Sequence, residues 1–83
     1  MTRILLLDDH GIVREGIKHL LDLQDDFEVC GECETPQQAM QLIAQHRPDF
    51  LITDLSLANT SGFSVIEHLE HNPNKPKIVV LSM

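Results

Sequence analysis

Three aspartates follow apolar segments of this chain, and their positions suggest phosphoryl-transfer chemistry supported by a divalent cation. Asp8 and Asp9 come directly after residues 4–7, and Asp54 comes directly after residues 50–53. Carboxylates held close together repel one another, by about 3 kcal/mol per pair at ~5 Å and an effective dielectric of about 20. Proteins that gather such groups usually bind a hard cation with them. The pattern predicts a Mg²⁺-dependent site that accepts a phosphoryl group.

The apolar segments that would place these aspartates are predicted to be strands. Residues 4–7, 50–55 and 77–81 are rich in apolar side chains, as in strands buried on both faces, and residues 27–30 form a shorter strand. Between the strands, apolar residues recur at helical spacing: Val13, Ile17, Leu20 and Leu21, then Ala39, Met40, Leu42 and Ile43, and last Phe63, Ile66 and Leu69. The predicted order is therefore β-α-β-α-β-α-β.

Local signals define the limits of these elements. Thr35 is a predicted N-cap, Pro36 fits the first helical position, and Gln38 completes a capping box. Residues 47–49 end this second helix, and residues 59–62 form a loop before the third. Gly16 falls within the first helix, where we expect it to permit close packing at a helix cost of about 1 kcal/mol.

This alternation predicts the α/β class, with a doubly wound parallel sheet and right-handed crossovers. In such sheets, ligands bind at the carboxyl ends of the strands, where the winding direction reverses. The carboxyl ends of the predicted strands carry Asp8, Asp9, Asp54 and Ser82, so the fold would bring these residues to one edge. This convergence makes the predicted site more specific than any single acid would.

Composition limits the other functions that the chain could have. The 83 residues, 42% of them hydrophobic, suit one domain with a modest core. No apolar run approaches the roughly 20 residues of a membrane span, and no signal peptide opens the chain, so we expect a cytoplasmic location without membrane contact. The net charge of −7 argues against direct binding of this segment to nucleic acid.

Cys30, Cys33 and His10 raise alternatives to this interpretation. The spacing C-x-x-C can indicate a redox motif, but such motifs need the first cysteine at a helix N-terminus. Here Cys30 belongs to a predicted strand, and two reduced thiols are the favoured interpretation. His10 adjoins the acidic pair and either tunes it electrostatically or serves as an ordinary loop residue, the second role being favoured.

The chain resembles the receiver domain of bacterial two-component response regulators. The resemblance rests on Asp8-Asp9 after the first strand, Asp54 after the third, the loop ending in Gly62, and Ser82 after the fourth. Residues 8–16 are similar to the subfamily whose output is a LuxR-type helix-turn-helix domain. The resemblance covers the whole chain and implies a flavodoxin-like (CheY-like) fold.

The resemblance also implies residue roles and partners. Asp54 would accept phosphate from a sensor histidine kinase, and Ser82 would hydrogen-bond a phosphoryl oxygen. Asp9, Asp54 and the backbone carbonyl of Ser56 would bind Mg²⁺, with Asp8 acting mostly through a metal-bound water. Such a module would be a switch that catalyses its own phosphorylation and not an enzyme in the ordinary sense. It would control a transcriptional output domain.

The chain departs from the family pattern in three ways. Ala58 and Ser61 stand where family members usually have Pro and Asp or Asn. The further helix, the fifth strand with its active-site Lys, and the last helix are not found in residues 1–83. These residues would thus be a partial receiver without its output domain. We expect slower phosphorylation, or a less stable phosphoryl group, than in a complete receiver. We also expect either a homodimer formed through the exposed fourth strand or a chain that is ordered only in part.

Two other functions are compatible with the sequence. One is a degenerate receiver that is never phosphorylated and acts only as an interaction module; failure to bind Mg²⁺ would support it. The other is an aspartate-nucleophile phosphohydrolase. Those enzymes typically place a second acid two residues after the nucleophile, and that position is Ser56 here.

Overall fold

The computed structural model describes residues 1–54 and 75–81, and for residues 54 and 81 it describes only the backbone. The elements in chain order are β1 (Thr2–Leu7), α1 (Gly11–Asp22), β2 (Phe27–Cys33), α2 (Pro36–His46), β3 (Phe50–Asp54) and β4 (Lys77–Leu81). Each predicted strand and the first two predicted helices are therefore confirmed. The predicted loop at 59–62 and the predicted third helix lie outside the described residues.

The strands form one parallel sheet in the order β2-β1-β3-β4. From β1 the chain moves outward to β2, then returns past β1 to β3 and β4, so the winding direction reverses between β1 and β3. In this register Leu7 lies opposite Thr53, and Asp54 lies opposite Leu81. The carboxyl ends of β1, β3 and β4 therefore meet at one edge, as the sequence predicts.

The two helices cover opposite faces of the sheet. On one face, α2 packs over a buried cluster made of Leu5, Leu7, Cys33, Ala39, Ile43 and Leu51. On the other face, Ile17 of α1 lines a small cavity with Leu6 and Ile52. Alternate residues of β1 therefore face different helices, which explains why its apolar run is continuous.

The inward face of α1 is narrower than its apolar pattern predicts. Val13, Ile17 and Leu21 are half-buried, but 64% of Leu20 is exposed, so the prediction that Leu20 faces the core is wrong. Successive residues of an α-helix are about 100° apart, so a face centred on Ile17 and Leu21 turns Leu20 away from the sheet. The prediction for Gly16 is also wrong, because an added Cβ there would meet no atom of residues 1–54 or 75–81 within 4 Å.

The ends of α2 follow the sequence signals closely. Thr35 Oγ1 accepts a hydrogen bond of 3.3 Å from the Gln38 backbone N–H, and Pro36 is the first helical residue. Gln38 Oε1 in turn accepts a 3.0 Å bond from the Glu34 N–H, one residue earlier than in a standard capping box. Arg47 closes the helix in the left-handed region at φ 49°. The predicted start and end of α2 are confirmed.

Strand β2 contains a bulge and continues beyond its predicted end at Cys30. Ile4 lies opposite Val29 and the next residue, Leu5, lies opposite Gly31, so Cys30 is an extra residue without a partner in β1. Gly31 permits close approach there, because an added Cβ would lie 3.2 Å from Leu5 Cδ1. The bulge shifts by one residue the pattern in which the side chains of β2 alternate between the two faces of the sheet. The strand then continues to Cys33.

Candidate functional site

The loop that leaves β1 carries the first two predicted site residues. Asp8 is buried, with 5% of its surface exposed, whereas Asp9 is exposed. Asp8 Oδ1 accepts a hydrogen bond of 2.7 Å from the backbone N–H of His10, and the Asp8 N–H donates to the Cys33 carbonyl at 3.0 Å. These two bonds fix the carboxylate of Asp8 at the edge of the sheet.

The imidazole of His10 lies between the two carboxylates. Its Nδ1 is 3.1 Å from Asp8 Oδ1 and 3.0 Å from Asp9 Oδ1. One potential ligand atom from each of the three residues lies within 4.8 Å of the others. The contact supports the electrostatic role of His10, which the sequence alone made the less favoured one.

Asp54 is the one other predicted site residue whose backbone the structure describes. The backbone of Asp54 ends β3, one residue after Thr53, which lies opposite Leu7. Asp8 is likewise one residue after Leu7, so the register brings both residues to the same level of the sheet. Ser56 and Ser82, like the departures Ala58 and Ser61, lie outside the described residues.

A group of charged residues behind the Asp8 loop was not predicted from the sequence. Arg14, whose side chain is 14% exposed, donates from Nη1 to the Asp8 carbonyl oxygen at 2.8 Å. Its Nε lies 3.2 Å from Glu32 Oε1, close enough for an ion pair, though no atom of the described residues completes a hydrogen bond with it. Its Nη2 lies 3.5 Å from Glu34 Oε1. Lys18 adds a second cation, 3.2 Å from Glu32 Oε2.

These contacts link α1 and β2 to the loop that carries the acids. The hydrogen bond and charge of Glu32 raise the pKa of Lys18, which keeps this exposed cation protonated. The one sequence signal for the group is that Arg14 follows the acidic pair within the first turns of α1. That signal is too weak to predict which of its neighbours the guanidinium contacts.

The two cysteines do not have the environment of a redox pair. Both lie in β2 and both are free thiols. Burial raises the pKa of Cys33 to about 12, and burial also raises the pKa of Cys30. A reactive thiol needs a lowered pKa, so the favoured interpretation of two reduced thiols is supported.

The donors at the sheet edge fit a hard divalent cation. Asp8 and Asp9 offer carboxylate oxygens next to each other, and Asp54 follows at the same level on β3. Oxygen ligands of this kind are the ones that Mg²⁺ prefers, commonly one or two carboxylates with water and phosphate completing the shell. The carboxylates of Asp8 and Asp9 are therefore donors of the kind that can hold such a cation.

Comparison with known proteins identifies the family. Residues 4–83 match the response regulator receiver domain, and the chain belongs to this family. It is 34% identical over 82 residues to the transcriptional regulatory protein LiaR of Bacillus subtilis (strain 168), covering 99% of this chain and 39% of that protein. It is 32% identical over 80 residues to YdfI of the same organism, covering 96% of this chain and 38% of the relative.

Solved structures confirm the CheY-like receiver fold. The receiver domain of the response regulator NarL from Mycobacterium tuberculosis matches with a TM-score of 0.87 and 27% identity, covering 98% of this chain and 65% of that one. A LuxR-family response regulator from Aurantimonas sp. SI85-9A1 matches with a TM-score of 0.86 and 31% identity, covering 100% and 60%. The predicted resemblance to receivers with LuxR-type relatives is confirmed.

The extent of these matches is uneven. The chain spans about two fifths of the length of the curated relatives named above.

Within residues 1–54 and 75–81, no helix is both long and apolar enough to cross a membrane.

Proposed function

We propose that this chain is the phospho-accepting receiver module of a two-component response regulator, with Asp54 as the acceptor. The observation that carries the proposal is that carboxylates lie together at the sheet edge where the winding direction reverses, between β1 and β3. The loop carboxylates Asp8 and Asp9 lie beside each other there, and the backbone of Asp54 ends the neighbouring strand at the same level. Family membership supports the same assignment.

Each predicted residue has a separate role in this proposal. The Asp54 carboxylate attacks the phosphorus of the donor, and the donor's leaving group departs with the bonding electron pair. Asp9, Asp54 and the backbone carbonyl of Ser56 would hold Mg²⁺, and Asp8 would act mostly through a metal-bound water. Ser82 donates a hydrogen bond to a phosphoryl oxygen. Bound Mg²⁺ supplies positive charge that neutralises the transferring phosphoryl group.

Burial of Asp8 contributes to this chemistry before any ligand binds. Its Oδ1 is held by the His10 N–H, so the carboxylate has one orientation on entry of the cation. Preorganised charges of this kind favour phosphoryl transfer mainly by positioning and electrostatic stabilisation. Asp9 is exposed, which leaves its carboxylate accessible to a cation that enters from solvent.

The proposal extends to partners and location. A sensor histidine kinase supplies the phosphate, and residues 1–83 act as a receiver that controls a transcriptional output domain. The module works in the cytoplasm as a switch and not as an enzyme with a separate substrate. It does not bind nucleic acid directly, given the net charge of −7. It forms a homodimer through β4.

Intact-mass spectrometry after incubation with acetyl phosphate tests the proposal. We expect one phosphoryl adduct on the wild-type chain when Mg²⁺ is present, and none when EDTA replaces it. Asp54→Asn is the matched control, because it removes the nucleophile and keeps the shape of the side chain. It should show no adduct under either condition.

Two results would contradict the proposal. An adduct of equal yield on Asp54→Asn would place the modification elsewhere. No adduct on a wild-type chain that melts cooperatively and binds no Mg²⁺ would favour a degenerate receiver that acts only as an interaction module.

A further inference from the structure

We propose that Arg14 is a positioning residue for the Mg²⁺ site, acting through the backbone of Asp8. The inference rests on the proposed function, because it assigns a support to the same metal-binding loop. Arg14 touches neither carboxylate in the described contacts. Its Nη1 donates instead to the Asp8 carbonyl oxygen at 2.8 Å.

Residue 14 contacts two carbonyl groups of the loop, one through the Arg14 side chain and one through the backbone bond that begins α1. Its guanidinium binds the carbonyl of Asp8, and its backbone N–H donates to the His10 carbonyl at 2.9 Å. Between these two points, the His10 N–H donates to the Asp8 carboxylate. The loop from residue 8 to residue 10 therefore has both ends tied to the first turn of α1.

The guanidinium is itself held in place by one residue of β2 and one residue just after it. Glu32 Oε1 lies 3.2 Å from Arg14 Nε, and Glu34 Oε1 lies 3.5 Å from Nη2. With 14% of the side chain exposed, Arg14 has little freedom to leave this position. Its three nitrogens contact three different groups, which is a fork geometry that one ammonium cannot reproduce.

The direction in which Mg²⁺ affinity changes distinguishes a positioning role of Arg14 from an effect of its charge alone. A cation close to the site repels Mg²⁺, so removing the charge alone would strengthen metal binding. Removing a positioning contact loosens the loop and weakens binding. Groups that orient metal ligands from behind typically change metal affinity by about tenfold or more when they are lost.

Lys18 provides a matched control for Arg14. Both are basic residues of α1, and both contact Glu32 at 3.2 Å. Lys18 has no described contact with the Asp8 loop. Lys18→Gln and Arg14→Gln therefore remove the same charge from the same neighbourhood, and only Arg14→Gln removes the bond to the Asp8 carbonyl.

The test is isothermal titration of Mg²⁺ into the 83-residue chain, combined with amide hydrogen exchange at His10 without metal. We expect Arg14→Gln to raise the Kd for Mg²⁺ about tenfold and to speed exchange of the His10 N–H. Lys18→Gln should change neither quantity by more than about twofold. Arg14→Lys should give an intermediate Kd, because an ammonium can replace one contact.

The outcomes distinguish the two proposals. If the wild type binds Mg²⁺ and Arg14→Gln binds it equally well or more tightly, the role of Arg14 is wrong and the proposed function stands. If the wild type binds no Mg²⁺, both are wrong. If Arg14→Gln does not fold, Arg14→Lys is compared with the wild type instead. The inference would be overturned if Arg14→Lys had the Kd for Mg²⁺ of the wild type and unchanged exchange of the His10 N–H.

Discussion

Burial sets the chemistry of individual side chains in β2. Cys33 is 5% exposed, and its Sγ donates to the Leu6 carbonyl oxygen at 3.4 Å. Water cannot solvate a thiolate there, which is why the pKa of this thiol rises to about 12. Cys30, the bulge residue, is half-buried, and burial raises the pKa of its thiol as well. Both thiols stay protonated near neutral pH.

We expect the two thiols to react at different rates with a disulfide reagent at pH 8. Cys33 should react at least about tenfold more slowly than Cys30, because each unit of raised pKa lowers the thiolate fraction tenfold. Its rate should rise with pH up to about 12, where the thiol ionises. Cys30→Ser isolates the slow thiol, and denaturant should make both thiols react alike. Equal rates in the folded chain would contradict this assignment.

The residues of the site differ in how far the sequence could predict them. Asp8 and Asp9 follow a strand, and the edge of a parallel sheet is where such acids collect, so their placement was predictable. The contact of Arg14 with the Asp8 carbonyl was not predictable. This contact depends on the path of the loop and on the bulge in β2, which places Glu32 beside Arg14. Neither the loop path nor the bulge follows from the spacing of apolar residues in the sequence.

At the scale of elements, the prediction for β2 stopped too early for a physical reason. Gly31 and Glu32 interrupt the apolar pattern after Cys30, and a strand was therefore expected to end there. In the fold, Gly31 allows β1 to approach, and the charge of Glu32 is balanced by Arg14 and Lys18. Tertiary contacts thus extend the strand where local preference would end it.

Two glycines that look alike in sequence should respond oppositely to alanine. Gly16→Ala should stabilise the chain by about 1 kcal/mol, because no described atom lies within 4 Å of the added methyl group and alanine is the better helix former. Gly31→Ala should destabilise it by about 1 kcal/mol or more, because the added methyl group meets the fully buried Leu5 at 3.2 Å. Urea unfolding midpoints measure both changes. A loss of stability in Gly16→Ala would mean that this face of α1 packs against something.

At the scale of the whole molecule, the described residues form a sheet with a helix on each face and with β4 as an edge strand open to association. Among the described residues, β4 pairs only with β3, and its Val79 and Val80 are 38% and 41% exposed. On the α1 side, an apolar groove is lined by Ile4, Leu21, Phe27, Phe50, Ile52 and Val79. An open edge beside apolar surface favours pairing with another strand, and the net charge of −7 opposes it.

Association through β4 should therefore depend on both concentration and salt. We expect the average mass in sedimentation to rise with protein concentration, and more steeply at high salt, where charge repulsion is screened. Val80→Lys should reduce the association, because it adds a charge at the open edge. Ile12→Lys is the control, since Ile12 is 91% exposed on α1 and distant in sequence from β4. Equal behaviour of the two variants would rule out the edge.

The bulge at Cys30 has a consequence for which changes of chain length the fold accepts. Because Cys30 has no partner in β1, a deletion of this one residue would leave each existing pair between β1 and β2 in place. If the bulge is kept, a deletion at Gly31 or Glu32 would instead move Cys33 from its position opposite Leu7 to the position opposite Leu6. Relatives that lack one residue in this strand should therefore align with a gap at Cys30, and the same gap marks the safest site for shortening the chain.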